Sequence, residues 1–381
     1  MGELQRFSLI QTKADAKGMA YEQLVGANLR GDRGEYFTPR TVCTMAAAML
    51  LATFPQDQWL TIDVLDPAVG TGGFLVALMN VWHDHINGLE RNRWGEDDRR
   101  VEDETQRRVH DIASTHLFGV DFNPVLVRAA QMNLVMHGDG STNVYHANTL
   151  LPPGEWPEDE PNNVQRNVRM GGFDAILTNP PFGDKIQIDD PHILAQYSLT
   201  LGRSSVPPDQ LFIERSLQLL RPGGRLAIVL PDSILTNPGL LEVRRWILNH
   251  ARVIASIDLP VETFQPHTGT QTSVLLLQKK TDQEMAIELA AGRPYPYEVF
   301  MAMPRAVGHD RRGNPLYRRT PEGDLIETAE PHSVFRRNPD GNTVVETATR
   351  QRRIRHDELP DVARQFQQWV SVPERMRWLN G

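Results

Sequence analysis

The 381-residue chain has a single cysteine, Cys43. That excludes an internal disulfide and a zinc site built on several thiolates, and no structural metal is expected. It also lacks a long apolar run: the longest, near Met45 to Phe54, falls far short of the ~20 residues a membrane helix needs. The N-terminus has neither the basic nor the apolar region of a signal peptide, so a soluble, cytoplasmic protein without membrane contact is expected. Positive charge is not in excess. Lys and Arg number 40 against 48 Asp and Glu, a net −8, which excludes coating of nucleic acid by general electrostatics, since that mode neutralises phosphates with cations. Any contact with DNA or RNA must be local. Lysine is absent from residues 301–381, which hold 14 Arg and 11 acids, a balance of +3 against −11 for residues 1–300. There is no internal repeat and no low-complexity tract. With 40% apolar and 23% charged residues, a fibrous or disordered chain is excluded, and the length fits one domain with appendages or two domains.

What is present is a succession of short strands and helices marked off by glycine and proline. Residues 10–30 read as weakly helical, 31–39 as a loop, and 41–54, rich in Ala, Met and Leu, as a helix. Residues 61–66 form a short β-branched strand that runs into the glycine turn at 67–73 and a second apolar helix from Phe74. The polar stretch 87–108 reads as a surface excursion before a strand at 117–121. Helical spacing follows at 125–137, a third strand at 143–146, a solvated loop at 152–170 and a fourth strand at 173–177. A long polar loop spans 184–208. Helix 211–220, stopped by Pro222-Gly223-Gly224, strand 225–230, helix 240–249 and strands 252–258 and 273–278 complete the alternation. This order predicts a doubly wound, mostly parallel α/β sheet with helices on both faces and ligands at the carboxyl ends of its strands. The loops at 66–73 and 178–183 both fall at such ends. Residues 285–381 break the pattern with Pro, Arg and Gly, and read as an appendage or small second domain.

Gly70, Gly72 and Gly73 let backbone approach a ligand, and the helix that follows offers free N–H groups. The G-x-G-G spacing departs from the dinucleotide fingerprint, and no acid lies about 20 residues on. Asp121, at the tip of the next strand, can accept hydrogen bonds from the ribose hydroxyls of an adenosine-type cofactor. Alone, the glycine turn equally fits an ordinary tight turn. Asn179-Pro180-Pro181-Phe182 is the sharper signal. Its two prolines stiffen the backbone and remove two donors, leaving an amide oxygen and main-chain carbonyls as acceptors for a ligand that presents an NH₂ group. Phe182 could give a planar ring a face to stack on; a proline-rich turn with an inward-packed Phe is the alternative.

Five segments taken in order carry a resemblance: Gly34-Glu-Tyr-Phe-Thr-Pro39, Asp66-Pro-Ala-Val-Gly-Thr-Gly-Gly-Phe74, Phe118-Gly-Val-Asp-Phe-Asn-Pro124, Thr178-Asn-Pro-Pro-Phe-Gly183 and Leu220-Arg-Pro-Gly-Gly-Arg-Leu-Ala-Ile-Val-Leu-Pro231. Over roughly residues 20–280 the chain resembles S-adenosyl-L-methionine-dependent N6-adenine DNA methyltransferases of the gamma arrangement, above all the modification subunits of type I restriction–modification systems. The resemblance implies a seven-stranded Rossmann-like methyltransferase sheet over 31–284, a short helical lead-in at 1–30 and an Arg-rich appendage at 285–381 for partner or DNA contact. It also implies roles. Tyr36, Phe37, Thr38 and Pro39 would cover the methionine part of the cofactor. Asp66, Pro67, Gly70, Thr71, Gly72, Gly73 and Phe74 would hold its amino acid end, Asp121 its ribose, and Phe122 its adenine. Asn148 stands where relatives often carry Asp near the adenine amino group, and an amide can still accept a hydrogen bond there. Val69 replaces a frequent Cys.

In the reaction so implied, a sulfonium methyl is already electrophilic, so the protein has mainly to align the attacking nitrogen with it and exclude water. Adenine N6 is a poor nucleophile. Hydrogen bonds to the side-chain oxygen of Asn179 and the carbonyl of Pro180 would favour its tetrahedral form, and the base would be flipped out and stacked on Phe182. Similar Asn-Pro-Pro loops occur in enzymes that methylate protein glutamine or RNA adenine, and the segments at 34–39 and 220–231 favour DNA by resemblance. A non-catalytic partner of the same fold and a nicotinamide-dependent oxidoreductase are the other readings; the intact motifs oppose the first and the glycine spacing the second. With about thirty residues before the first motif and about 100 after residue 280, sequence specificity is expected from a separate specificity subunit on double-stranded DNA, with a restriction subunit as a further partner. His83, His85 and His116 read as surface or packing residues. The loop 266–272 fits either a target-pocket wall or a hairpin turn, and the arginines at 311, 312, 318, 319, 350, 352, 353 and 355 fit phosphate contacts, a solvated face or a docking surface.

Overall fold

The computed structural model describes residues 37–138, 143–183, 186–337 and 343–380, with backbone alone over 331–337 and 343–347. Eight strands form its main sheet: β1 (Val64–Asp66), β2 (Leu117–Asp121), β3 (Val144–His146), β4 (Phe173–Thr178), β5 (Leu220–Pro231), β6 (Ala251–Asp258), β7 (Thr272–Lys279) and β8 (Phe300–Ala302). Their order is β3-β2-β1-β4-β5-β7-β6-β8. Only β7 is antiparallel to its neighbours. The doubly wound, mostly parallel α/β sheet is the expected one, with eight strands in place of seven. The added strand, β8, is a partly exposed edge strand of three residues set between Pro296 and Pro304, where the sequence reads as loop.

The strands are apolar on both faces because helices cover both. Ala227 and Val229 of β5 and Val274 and Leu276 of β7 pack into one core with α1 (Arg40–Ala52) and α2 (Gly73–Trp94). Their neighbours Leu226, Ile228, Leu275 and Leu277 pack into the other, with α5 (Pro208–Leu219) and α6 (Leu241–His250). A one-residue register slip would exchange the two sets, and each Val, Leu or Ile among them contributes about 1.5–3 kcal/mol by burial.

The polar stretch 87–108 lies at the surface, as expected, and is helical. It belongs to α2 and to α3 (Asp98–His116), which Asp97 caps. Helix α3 buries only Val101, Thr105, Val109 and Ala113, a stripe at four-residue spacing. Its polar face is laced by pairs such as Arg107–Glu104 and Arg107–Asp111. The loop 152–170 is pinned by buried Trp156, Val164 and Val168. Of the loop 184–208, Ile193, Leu194, Tyr197 and Val206 form a third buried cluster with Leu150, Leu211 and Phe212. Pro222-Gly223-Gly224 lies inside β5 at a break in register with β4, and α5 ends one residue before that strand begins.

Helix α4 (Pro124–Met136) starts on Asn123, whose side chain accepts from Val125 N–H, with Pro124 in the first turn. Beyond residue 281 come α7 (Asp282–Ala291), β8, a separate two-stranded hairpin of β9 (Glu327–Arg337) and β10 (Thr343–Arg353), α8 (Leu359–Val370) and α9 (Pro373–Asn380). Strand β8 pairs with β6, and α8 buries Leu359, Phe366 and Val370 in the same core as α1. Arg225 of β5 donates from Nη2 to Leu379 O at 2.8 Å and to Asn380 Oδ1 at 2.6 Å, fastening the C-terminal helix. Among the described residues, no helix is long and apolar enough to cross a membrane.

Candidate active site

Strand β1 has β2 on one side and β4 on the other, and a crevice opens at this reversal of strand order, outside the carboxyl ends. Asp66 closes β1, Asp121 closes β2, and Asn179 follows β4.

The loop after β1 is held from several sides. Val69 N–H donates to Val120 O at 2.9 Å, Asn133 Nδ2 to Thr71 O at 2.9 Å, and Thr149 Oγ1 to Pro67 O at 3.0 Å. Gly70 and Gly72 have φ of 53° and 83°, conformations that disfavour a side chain. Gly119 matters through space: a Cβ there would lie 2.8 Å from Val69 Cγ2. Gly70 N–H donates to Asp121 Oδ2 at 2.9 Å and Asn123 N–H to Oδ1 at 2.8 Å, so the carboxylate is fixed by backbone at both oxygens. Asp66 is buried and accepts from Ala68 N–H at 3.1 Å. Burial pushes its carboxyl up to about 7, against the Thr178 hydroxyl and the Ala68 N–H, and the Asp121 carboxylate adds to the rise.

Asn179 Nδ2 donates to Thr38 Oγ1 at 3.0 Å. A cavity of about 410 Å³ joins Asn179 and Pro181 to Phe37, Asp121, Phe122 and Asn148. A second of about 50 Å³ is lined by Asp66, Thr71, Gly73, Phe74, Thr38 and Asn179, and shares Phe37, Ala68 and Gly70 with the first. Phe122, 41% exposed, offers a ring at the mouth. Asn148 Oδ1 accepts from Leu150 N–H at 3.0 Å.

The structure thus brings together Phe37, Thr38, Asp66, Pro67, Gly70, Thr71, Gly73, Phe74, Asp121, Phe122, Asn148, Asn179 and Pro181 around two adjoining cavities. Pro39 instead caps α1, Gly72 lies against Ala130, and Pro180 is buried. Tyr36 lies outside the described residues. Phe182 does not offer a stacking face: it is 1% exposed and meets Phe264 edge-on, centroids 5.9 Å apart. Of the two readings of this ring in the sequence, the inward-packed one holds here. Ile186, Gln187, Ile188, Pro208 and Phe212 also line the larger cavity; the first four were missed because 184–208 reads as a polar loop, with Ile186 and Ile188, apolar at alternate positions, as the available signal, and Phe212 because it reads as one more apolar residue of a core helix. Among the described residues, no group of three or more His, Cys, Asp and Glu is placed to hold a metal ion.

The donor set suits a nucleoside bearing an amino acid: acids at two depths, glycine backbone between them, and an aromatic ring at the mouth. The family model for N-6 DNA Methylase matches residues 12–294. The chain belongs to that family. Among N-6 DNA methylase relatives, the EcoEI type I restriction enzyme methylase subunit of Escherichia coli is 26% identical over 266 residues, which is 69% of this chain and 46% of that protein. The type II restriction enzyme and methyltransferase RM.BcgI of Heyndrickxia coagulans is 28% identical over 258 residues, 66% of this chain and 33% of that one. The chain therefore spans about half or less of the length of these relatives. A solved Listeria monocytogenes protein, described as a class I S-adenosylmethionine-dependent methyltransferase, shares the fold at a TM-score of 0.54 and 19% identity, covering 78% of this chain and 76% of that one. The type I restriction-modification methyltransferase subunit of Streptococcus thermophilus does so at 0.50 and 21%, covering 76% and 60%.

Proposed function

We propose that this N-6 DNA methylase family member is a cytoplasmic DNA adenine-N6 methyltransferase that uses S-adenosyl-L-methionine. In this reading it is the modification subunit of a type I-like system, completed by a separate specificity subunit and a restriction subunit. One observation carries the reading: Asn179, tied to Thr38, opens on the same cavity as Asp121, Phe122 and Asn148. The loop that would bind the amine and the acid that would bind the ribose therefore face one space.

When bound, the cofactor supplies an electrophilic methyl on a sulfonium. Asp66 and the backbone around Gly70 would hold its amino acid end, Asp121 its ribose, and Phe122 with Asn148 its adenine. The substrate amine would donate one hydrogen bond to the Asn179 side-chain oxygen and one to the Pro180 carbonyl, which turns the nitrogen lone pair out of conjugation with the ring for attack. No strong base is needed, because the nitrogen becomes acidic only after the methyl has arrived. Ile186, Ile188 and Phe212, which line the cavity, would keep water from the reacting centre. A base within a duplex cannot reach this loop and has to be flipped out. Residues 31–284 would carry the chemistry, and the hairpin and arginines of 285–381 would face a partner or DNA.

The test is methyl transfer from labelled cofactor to unmethylated DNA, with and without the specificity subunit, followed by digestion and mass spectrometry of the nucleosides. N6-methyladenine that depends on the second polypeptide is expected. Label in protein or RNA instead would overturn the substrate; site-selective methylation by the chain alone would overturn the division of labour.

A further inference from the structure

Helix α5 lines the larger cavity with Pro208 and Phe212. Arg215, three residues after Phe212 on the same helix, is 1% exposed. Its Nη2 donates to Leu150 O at 3.4 Å and to Leu151 O at 3.2 Å, and its Nε donates to the Tyr197 hydroxyl at 2.9 Å. That hydroxyl in turn donates to Leu150 O at 2.9 Å. The guanidinium also lies 5.0 Å from the Tyr197 ring centroid and 5.7 Å from that of Trp156. None of these partners is an acid. The adjacent Glu214 accepts from Ser198 N–H and Oγ at 3.1 Å and from Leu199 N–H at 2.7 Å, so one helix anchors the Tyr197 turn from both sides.

A guanidinium is costly to bury, and apolar contact alone would be met more cheaply by Leu or Met. What it adds here is direction, because its planar fork fixes the carbonyls it meets. Those carbonyls belong to the loop that walls the cavity. Leu150, held at its oxygen, donates its N–H to Asn148 Oδ1, and Thr149 beside it donates to Pro67 O.

Resting on the function proposed above, we propose that Arg215 is a positioning residue for the adenosine end of the cofactor site: it ties the 147–151 loop to α5 and thereby sets where Asn148 and its neighbours meet a bound adenine. It touches neither cofactor nor substrate. Its effect therefore falls on cofactor affinity and leaves the methyl-transfer step intact.

The experiment pairs calorimetry of S-adenosylhomocysteine and of adenosine binding with steady-state kinetics of the full chain and its specificity subunit. Arg215→Met is expected to weaken both ligands in parallel and to raise KM for the cofactor about tenfold, with kcat at saturating cofactor within about twofold. Arg215→Lys recovers part of the loss. Tyr197→Phe, which removes one donor to Leu150 O, gives a smaller loss in the same direction and serves should Arg215→Met not fold. A fall in kcat with KM unchanged, or a lowered melting temperature with unaltered affinity, overturns the positioning role. If the unmodified chain does not bind S-adenosylhomocysteine, the functional reading falls with it; if it binds and Arg215→Met binds equally well, this inference falls alone.

Discussion

Asn179 reaches 3.0 Å to the Thr38 hydroxyl from a residue 141 positions further along the chain, and this bond orients the amide that faces the cavity. Asn179→Ala is expected to lower kcat about 100-fold while changing cofactor affinity little, as loss of alignment does. Thr38→Val, which keeps shape but removes the acceptor, is expected to lower kcat about tenfold, and Thr38→Ser to restore it. Kinetics alongside calorimetry separate the two effects; equal loss of turnover and affinity would count against an aligning role for the loop.

Asp66 makes pH a probe of the smaller cavity. Its carboxyl lies near 7 in the folded chain against an ordinary 3.8, so the folded state holds a proton that the unfolded state has released. Stability therefore falls as pH rises from about 4 to 7, and the ionised form costs on the order of 4 kcal/mol above that range. Asp66→Asn should flatten this dependence in urea titrations at pH 5 and pH 8. A ligand ammonium needs the ionised form, so the unmodified chain should lose affinity for S-adenosylhomocysteine as pH drops below 7, with proton release on binding. Affinity that stays constant from pH 5 to pH 8 would remove Asp66 from that role.

Gly119 is fixed by the Val69 side chain it passes. Gly119→Ala is expected to destabilise the protein by roughly 1–3 kcal/mol by overpacking. Adding Val69→Ala should return part of it, since Val69 Cβ and Leu75 Cδ1 would still lie 3.1 and 3.3 Å from the new methyl. Thermal melts of the two single variants and the double variant form the cycle, and additive losses would mean the two residues do not meet.

Phe182, enclosed against Phe264, is expected to act through packing. Phe182→Leu should lower stability by roughly 1–2 kcal/mol and leave S-adenosylhomocysteine affinity unchanged. A variant as stable as the parent in denaturant would place this ring outside the core.

Much of the site was legible because its signals are local. Glycines at 70, 72 and 73 after a short β-branched run, Asp121 at the end of the next one, and two prolines after Asn179 are constraints that each segment imposes on its own backbone. The alternation of strands and helices follows from the same punctuation. The helical character of 87–108 was hidden because a surface helix held by charge pairs buries so thin a stripe, and β8 because it is a partly exposed edge strand between two prolines.

The sequence by itself determined the strand-loop-helix units, the acids at their tips and the stiff amide loop, since backbone conformation there depends on adjacent residues. Only the tertiary structure decided that Phe182 turns inward, that Thr38 holds Asn179, that Gly70 and Asn123 N–H groups fix Asp121, and that Arg215 braces the loop beside Asn148. Most of these contacts join residues tens of positions apart, where packing of whole elements sets the distance and no periodicity in the chain records it.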